Sequence, residues 1–214
     1  MYPTLGDVKR RYDASRRREQ AAENRRRILA AAQELFEARG YGGTTIAEVA
    51  RTAGVAAETV YATFRNKPTL LYRAWDLAVG GDDQDVHLLQ RPELQAVFAE
   101  ADLPTRLRRF AAVNTVLMRR TARLRLAAQS AAEADPAVAT FLTEIDAARL
   151  EAMGVHAARA KDTGQLAVSE DECRDVLFAM TDGTLWRTLV ERQGWSDDRY
   201  AAWLGDLWAR TLAG

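Results

Sequence analysis

The chain has 214 residues, of which 48% are hydrophobic and 28% charged, with 30 Lys/Arg balanced by 30 Asp/Glu. This composition excludes the disordered and fibrous classes, and the prevalence of Ala, Leu, Arg and Glu over Gly and Pro predicts an all-α fold. No apolar run approaches about 18 residues and no apolar segment follows the charged N-terminus, so neither a membrane span nor a secretory signal is expected and the predicted location is cytoplasmic. A single cysteine, Cys173, excludes an intramolecular disulfide and a multi-cysteine zinc site, and we expect it to be a buried or half-buried small residue.

The zero net charge conceals an asymmetry along the chain. Residues 1–75 hold 14 Lys/Arg against 8 Asp/Glu, whereas residues 76–214 hold 16 against 22. This division predicts that the first part meets a polyanion, although a solvated charged face is the alternative. Residues 1–23 form a predicted basic N-terminal arm. This arm either extends the first helix or is disordered. It either binds DNA specifically or only increases the affinity for phosphates. The arginines expected to touch DNA in and just after this arm are Arg16, Arg17, Arg18 and Arg25.

Two helices are predicted next in chain order. From Asn24 onward, apolar residues recur at helical spacing until Gly40, which is a signal for a helix C-terminus. Thr45 and Glu48 have the spacing of a capping box, so a second helix is expected to begin there. This helix is predicted to end near Thr52.

A helix-turn-helix is predicted where the second helix ends. Gly54 is expected to supply the left-handed conformation of a tight turn, and a third short helix follows at about residues 56–64. Asn66 is expected to cap a fourth helix. In a helix-turn-helix, the second of the two helices is presented to the major groove of DNA. Residues with the size and spacing expected of the seam between the helices are Val49, Ala50, Val55 and Val60.

Residues 25–74, "RRRILAAAQELFEARGYGGTTIAEVARTAGVAAETVYATFRNKPTLLYRA", resemble the DNA-binding domain of TetR-family transcriptional regulators almost end to end. The resemblance includes the "LF…RGY…TT" run, the "IA…AGV" turn and the "TVY…F…K…LL" signature. It implies a homodimeric, all-helical repressor that binds a palindromic operator in double-stranded DNA. In such regulators, a larger C-terminal domain binds a small-molecule effector and thereby releases the DNA.

The resemblance also assigns roles within residues 24–78, the predicted DNA-binding domain. Tyr61 and Lys67 match the family positions that touch phosphates, and Thr44 and Thr45 are expected to offer a hydroxyl or N–H group to the DNA backbone. The residues expected to contact base edges are Ala57, Glu58, Thr59, Ala62 and Thr63. This helix departs from the family pattern, because Ala56 stands where a serine usually caps the helix and Glu58 where glycine is common. Glu58 either complements the helix dipole or accepts a hydrogen bond from cytosine.

Residues 79–214 are the predicted effector-binding and dimerisation domain, which begins with the linker "GGDDQD" and continues with four or five helices. Ser169 and Glu172 are expected to open a helix that runs to about Glu191, and Ser196 is expected to open the last one. In the family, the last two helices of each subunit pack as an intermolecular bundle, although an aromatic stripe is also common within a core. The expected dimer interface is Leu185, Trp186, Leu189, Tyr200, Trp203, Leu204, Leu207 and Trp208.

An apolar effector cavity is expected between Pro104 and Lys161, with ordinary core packing as the alternative for each residue. His87 and His156 are too few for a metal or catalytic site, so no cofactor is predicted. The candidate lining residues are Phe110, Asn114, Met118, Gln129, Phe141, Ile145, Met153 and His156.

Two other classes of function stay open at this stage. One is a helical enzyme or small-molecule carrier. The sequence contains no catalytic or dinucleotide-binding motif, so we predict no enzyme activity. The other is an architectural DNA binder that is indifferent to sequence, which the weak recognition helix suggests.

Overall fold

The computed structural model describes residues 5–82 and 86–214, with side chains for residue 16 and from residue 18 onward. Within these residues the protein is helical and contains no strand, apart from an isolated bridge between Leu166 and Ala213. No helix in this part of the chain is long and apolar enough to cross a membrane. The helices are α1 (Leu5–Arg39), α2 (Ile46–Ala53), α3 (Ala57–Phe64), α4 (Lys67–Gly80), a 3₁₀ turn (Leu88–Gln90), α5 (Pro92–Phe98), α6 (Leu103–Ala131), α7 (Pro136–Lys161), α8 (Glu170–Met180), α9 (Thr184–Trp186), a π-helical turn (Arg187–Arg192) and α10 (Asp197–Leu212).

The chain divides into two compact units, Met1–Ala74 and Trp75–Gly214. The boundary between the units lies within α4, a few residues before the limit that the sequence suggested. The functional division into a basic arm, a DNA-binding domain and an effector domain remains a prediction.

The first unit is built from α1 to α3 and the first half of α4. Helix α1 ends before Gly40, as predicted, but it begins at Leu5, so the described part of the predicted arm is continuous with the first helix. Strong helix formers account for this extension, because Ala, Arg, Glu and Gln dominate the segment. The residues of its core include Ile28, Leu35, Phe36, Val49, Val60, Phe64, Leu70 and Leu71.

In the second unit, α10 packs along α6 and α8 packs along α7. The core between these helices is rich in aromatic and aliphatic side chains and includes the only cysteine. Burial, and to a lesser extent Glu170, raises the pKa of the Cys173 thiol to about 11, which agrees with the expectation of a buried residue.

The predicted helix from Ser169 to about Glu191 is wrong, because α8 ends at Met180. Gly183 adopts φ 88°, and a Cβ there would lie 2.8 Å from the Cβ of Ala122 on α6, so both conformation and space require glycine. The chain therefore turns against α6 before the short α9 begins. The Asp-Gly pair at residues 182–183 was the available sequence signal for this break.

Candidate DNA interface and effector cavity

The predicted capping box at the start of α2 is confirmed. The Thr45 hydroxyl accepts a hydrogen bond from the Glu48 N–H (3.2 Å), and the Glu48 carboxylate accepts one from the Thr45 N–H (2.9 Å). These bonds with Thr45 lower the pKa of Glu48, and the Arg39 guanidinium, 2.9 Å from the carboxylate, acts in the same direction. Helix α2 therefore has a fixed first turn that is tied to the end of α1.

The turn between α2 and α3 has the predicted glycine geometry. Gly54 adopts φ 64° and ψ 42°, and the Val55 N–H donates to the Ala50 carbonyl at 3.0 Å. The guanidinium of Arg27, on α1, donates to the carbonyls of Ala53 and Gly54, the latter at 3.3 Å. Arg27 thereby holds the turn against α1. The sequence indicated only that Arg27 belongs to a basic run, because residues 26 positions apart give no local signal of contact.

Helix α3 turns Val60 and Phe64 into the core and leaves its other face accessible. Ala56 provides no side-chain cap, as predicted. Tyr61 is 54% exposed, and the hydroxyl of Thr63 donates to the Thr59 carbonyl at 2.8 Å. Among the other expected base readers, Glu58 and Ala62 are exposed, and Ala57 and Thr59 are half-buried.

Lys67 is the first residue of α4 and is half-buried. The Asn66 side chain accepts a hydrogen bond from the Thr69 N–H at 2.9 Å, so the predicted cap is confirmed. The Lys67 ammonium lies 4.1 Å from the centre of the Tyr41 ring. A lysine in the first turn of a helix adds its charge to the positive end of the helix dipole, and this position suits phosphate binding.

Thr44 is not available as a DNA contact. Its side chain is buried, and its hydroxyl donates to the carbonyls of Leu35 (3.1 Å) and Gly40 (2.9 Å). Its N–H donates to the Tyr41 carbonyl at 3.3 Å. The exposed Thr45 uses its hydroxyl in the capping box.

The arginines expected to touch DNA lie on α1. Arg16, Arg18 and Arg25 are exposed, and the Arg25 guanidinium lies 5.2 Å from the centre of the Phe64 ring at the end of α3. The side chain of Arg17 lies outside the described residues.

A cavity of about 260 Å³ lies within the second unit. This volume is near the lower end of the range for small-molecule sites, about 300–1,000 Å³. Four of the eight residues expected to line a cavity do so: Phe110, Asn114, Met153 and His156. The rest of the wall comprises Val79, Gly80, Gly81, Asp82, Leu88, Leu89, Arg91, Glu93, Leu94, Val113, Val116, Leu117, Arg120 and Ala152.

The other four expected residues do not line this cavity. Met118 belongs to the core beneath Gly183, and Phe141 packs edge-on against Trp75 with ring centres 6.0 Å apart. Gln129 is exposed and Ile145 is half-buried. The error arises because α6 and α7 are long helices, and only the middle of α6 and part of the C-terminal half of α7 line the cavity.

The wall also contains a charged pair that was not predicted from the sequence. The Arg91 guanidinium binds both carboxylate oxygens of Asp82, at 2.8 and 2.9 Å, and this bond raises the pKa of Arg91. Asp82 ends the described part of the predicted linker, and its charge indicated only a solvent-exposed loop.

His156 is a buried and unprotonated part of the wall. Its ring stacks on Phe110, with centres 3.8 Å apart, and lies 4.7 Å from the ring of Phe98. Burial lowers the pKa of His156 to about 3, and the nearby Arg106 and Arg159 act in the same direction.

Half of the predicted dimer interface lies within the core of a single chain. Trp186, Tyr200, Leu204 and Trp208 are buried, and Trp208 stacks on Phe110 with ring centres 5.3 Å apart. The aromatic stripe therefore faces α6 of its own chain. Four half-buried residues remain candidates for an interface: Leu185, Leu189, Trp203 and Leu207.

The fold and these residues define an all-helical protein with an N-terminal helix-turn-helix. Residues 28–74 match the family described as bacterial regulatory proteins, tetR family. The HTH-type transcriptional regulator TtgR of Pseudomonas putida is 33% identical over 113 residues, a match that covers 48% of this chain and 52% of that protein. The chain thus spans about half the length of this curated relative.

Solved structures extend the similarity in fold to both units. A transcriptional regulator from Saccharomonospora viridis in complex with choline has a TM-score of 0.68 at 21% identity, covering 90% of this chain and 99% of the other. NalD, the secondary repressor of the MexAB-OprM multidrug efflux pump in Pseudomonas aeruginosa, has a TM-score of 0.57 at 22% identity, covering 90% and 97%. Residues 28–74 therefore carry a tetR-family DNA-binding domain, and the fold of the described residues is similar to that of the solved transcriptional regulators.

Proposed function

We propose that the protein is a dimeric, cytoplasmic repressor that binds a palindromic operator and is released from it by a small effector. The observation that carries this proposal is the helix-turn-helix of residues 46–64, which presents an accessible face of α3 and lies within the tetR-family match. The NalD similarity favours repression, and the choline complex of the S. viridis protein favours a small-molecule effector.

The proposed contacts with DNA fall into two groups. Tyr61 and Lys67 contact phosphates and fix the position of α3, with exposed arginines of α1 adding affinity. Glu58, Ala62 and the neighbouring residues of α3 meet the base edges. Two alanines among the base readers offer only methyl contacts to thymine, so the few polar side chains carry the direct readout.

Helix α4 supplies the proposed link between effector and operator. Its first residue is Lys67, and its last residues, Val79 and Gly80, belong to the cavity wall. An effector shifts the equilibrium only if it binds the released conformation better than the DNA-bound one. In the proposed mechanism, the occupied cavity favours a position of α4 in which Lys67 no longer reaches its phosphate.

A dimer is proposed because two half-sites must be read at a fixed spacing. The candidate seam is formed by the half-buried Leu185, Leu189, Trp203 and Leu207. Sedimentation of the purified chain tests this part of the proposal, since a monomer at micromolar concentration would contradict it.

The experiment for the DNA interface measures duplex binding as a function of salt concentration. Replacing Lys67 with Gln should lower affinity and reduce the slope of log K against log salt by about 0.9, the value expected for one lost phosphate contact. Lys161→Gln is the matched control, because Lys161 lies in the second unit and pairs with Glu170 at 3.0 Å. Equal slopes for both variants and the wild type would contradict the proposed role of Lys67.

An architectural DNA binder is the second candidate. Ala57 and Ala62, on the side of α3 that does not enter the core, favour it, because alanine offers only methyl contacts to bases. The two functions differ in one observable, since an architectural protein binds all duplexes with similar affinity.

A further inference from the structure

The cavity contains a buried polar group with no partner. Asn114, on α6, is 3% exposed, and its Nδ2 group makes no hydrogen bond to any described residue. Buried N–H groups are almost always paired in folded proteins, so an unpaired one in a cavity wall indicates a missing partner. Asn114 lies on the same face of α6 as Phe110 and Leu117, which also line the cavity.

A second unpaired donor lies in the same wall. The Nε atom of Arg91 is buried and has no partner among the described residues, although the rest of the guanidinium binds Asp82. No side-chain oxygen of the described wall is both buried and unpaired. The unpaired buried side-chain groups of the described wall are thus both donors, and an acceptor oxygen on a ligand would satisfy them.

The charges of the wall favour an uncharged ligand. Among the described wall residues, Asp82 and Glu93 balance Arg91 and Arg120 in formal charge, and burial keeps the His156 ring neutral. Ten of these eighteen described residues are aliphatic, carbocyclic aromatic or methionine. A ligand ion would lose its hydration without gaining a net countercharge, and such a transfer is unfavourable.

We propose that the effector of this protein is a small, uncharged, largely apolar molecule whose carbonyl-type oxygen accepts a hydrogen bond from Asn114 Nδ2. This inference rests on the proposed function, since it specifies the chemistry of the effector cavity. Arg91 Nε is a second donor for an effector with two oxygens. The ligand differs in charge from the choline of the S. viridis complex.

The test uses four probes with nearly the same shape and different head groups. These are acetophenone (an uncharged ketone), α-methylstyrene (its hydrocarbon isostere), α-phenylethylammonium (a cation) and benzoate (an anion), with choline as a further cation. Calorimetric titration of the full chain should show acetophenone binding about fivefold tighter than α-methylstyrene, as one additional hydrogen bond implies, and the ions binding more weakly than both. Equal binding of ketone and hydrocarbon, tighter binding of either ion or of choline, or no binding of any probe would overturn the proposal.

Two variants separate this role of Asn114 from a purely structural one. Asn114→Leu should abolish the preference for ketone over hydrocarbon and raise the melting temperature of the unliganded protein, because it removes the unpaired donor. Gln129→Leu is the matched control on the same helix, since Gln129 is exposed and lies outside the cavity wall. That variant should keep the wild-type preference. A preference for ketone that survives in Asn114→Leu would refute the assignment.

DNA binding by the same preparations distinguishes this inference from the proposed function. If the protein binds DNA but shows no preference for the ketone, the proposed effector chemistry is wrong and the proposed regulatory function is retained. If the preference for the ketone depends on Asn114 but the protein binds no DNA, the proposed ligand chemistry is retained and the proposed regulatory function is wrong.

Discussion

His156 should make the second unit less stable as the pH falls from 7 to 5. Its pKa is lowered from an ordinary value of 6.5 to about 3, chiefly by burial and further by Arg106 and Arg159. Between these two values the unfolded chain binds a proton that the folded chain does not, so acid favours unfolding. Well above pH 6.5 the imidazole does not lower the free energy of unfolding, and below pH 6.5 the loss of unfolding free energy increases as the pH falls.

The size of the effect follows from the two pKa values. At pH 5 the unfolded imidazole is largely protonated and the folded one is neutral, which lowers the free energy of unfolding by about 2 kcal/mol relative to pH 7. The carboxylates whose pKa values are lowered, such as Asp146 and Asp206, add a loss only at more acidic pH. The interval from pH 7 to 5 therefore isolates the histidine contribution.

The assay is urea unfolding followed by tryptophan fluorescence, since all five tryptophans lie within residues 75–214. His156→Phe keeps an aromatic ring against Phe110 and removes the titrating group, so it should lose about 2 kcal/mol of the pH dependence. His87→Asn, which replaces the other histidine, is the control and should keep the wild-type dependence. The same change in unfolding free energy between pH 7 and 5 in His156→Phe as in the wild type would contradict this role of His156.

Three further predictions concern the first unit. Gly54→Ala should destabilise it by about 1 kcal/mol or more, because the residue has φ 64°, and urea unfolding monitored by circular dichroism measures the loss. Thr44→Val should lower the free energy of unfolding by about 1 kcal/mol in the same assay, because the buried hydroxyl donates to two carbonyls. It should leave the salt dependence of DNA binding unchanged. A smaller slope of log K against log salt would instead identify Thr44 as a phosphate contact. Arg65→Gly should raise stability by about 1 kcal/mol, because Arg65 adopts φ 63°, and unchanged or lower stability would show that the side chain compensates for the strain.

Local patterns predicted the first unit well. The glycine signals at Gly40 and Gly54 and the capping box at Thr45 each depend on residues within a few positions of one another, so the sequence contains the whole signal. The side-chain brace from Arg27 to the turn was missed, because it joins residues that are distant in sequence. Thr44 was misassigned although its hydroxyl partners, Leu35 and Gly40, lie only 9 and 4 positions away, because the local pattern does not show that its side chain is buried.

The second unit was harder to predict, because its features depend on which helix faces which. The stripe of Tyr200, Leu204 and Trp208 was recognised as apolar, but sequence periodicity cannot tell a face that packs on its own chain from one that packs on a partner. Half of the residues expected in the cavity wall lie there, and two of them, Asn114 and His156, were recognisable as polar residues on apolar helix faces. The charged residues of the cavity wall near the end of α4 and the start of α5 were not predicted, because no sequence pattern indicated that they line a cavity.

Selection of binding sites from a random pool of duplex DNA with the purified chain tests whether the protein is a sequence-specific regulator. A regulator of the proposed kind should enrich one two-fold symmetric sequence, with half-sites separated by one or more helical turns of about 10 base pairs. It should bind that sequence at least roughly a thousandfold more tightly than unrelated DNA at physiological salt. A pool that stays random after repeated rounds, with similar affinity for every duplex, would contradict sequence-specific regulation and favour the architectural role.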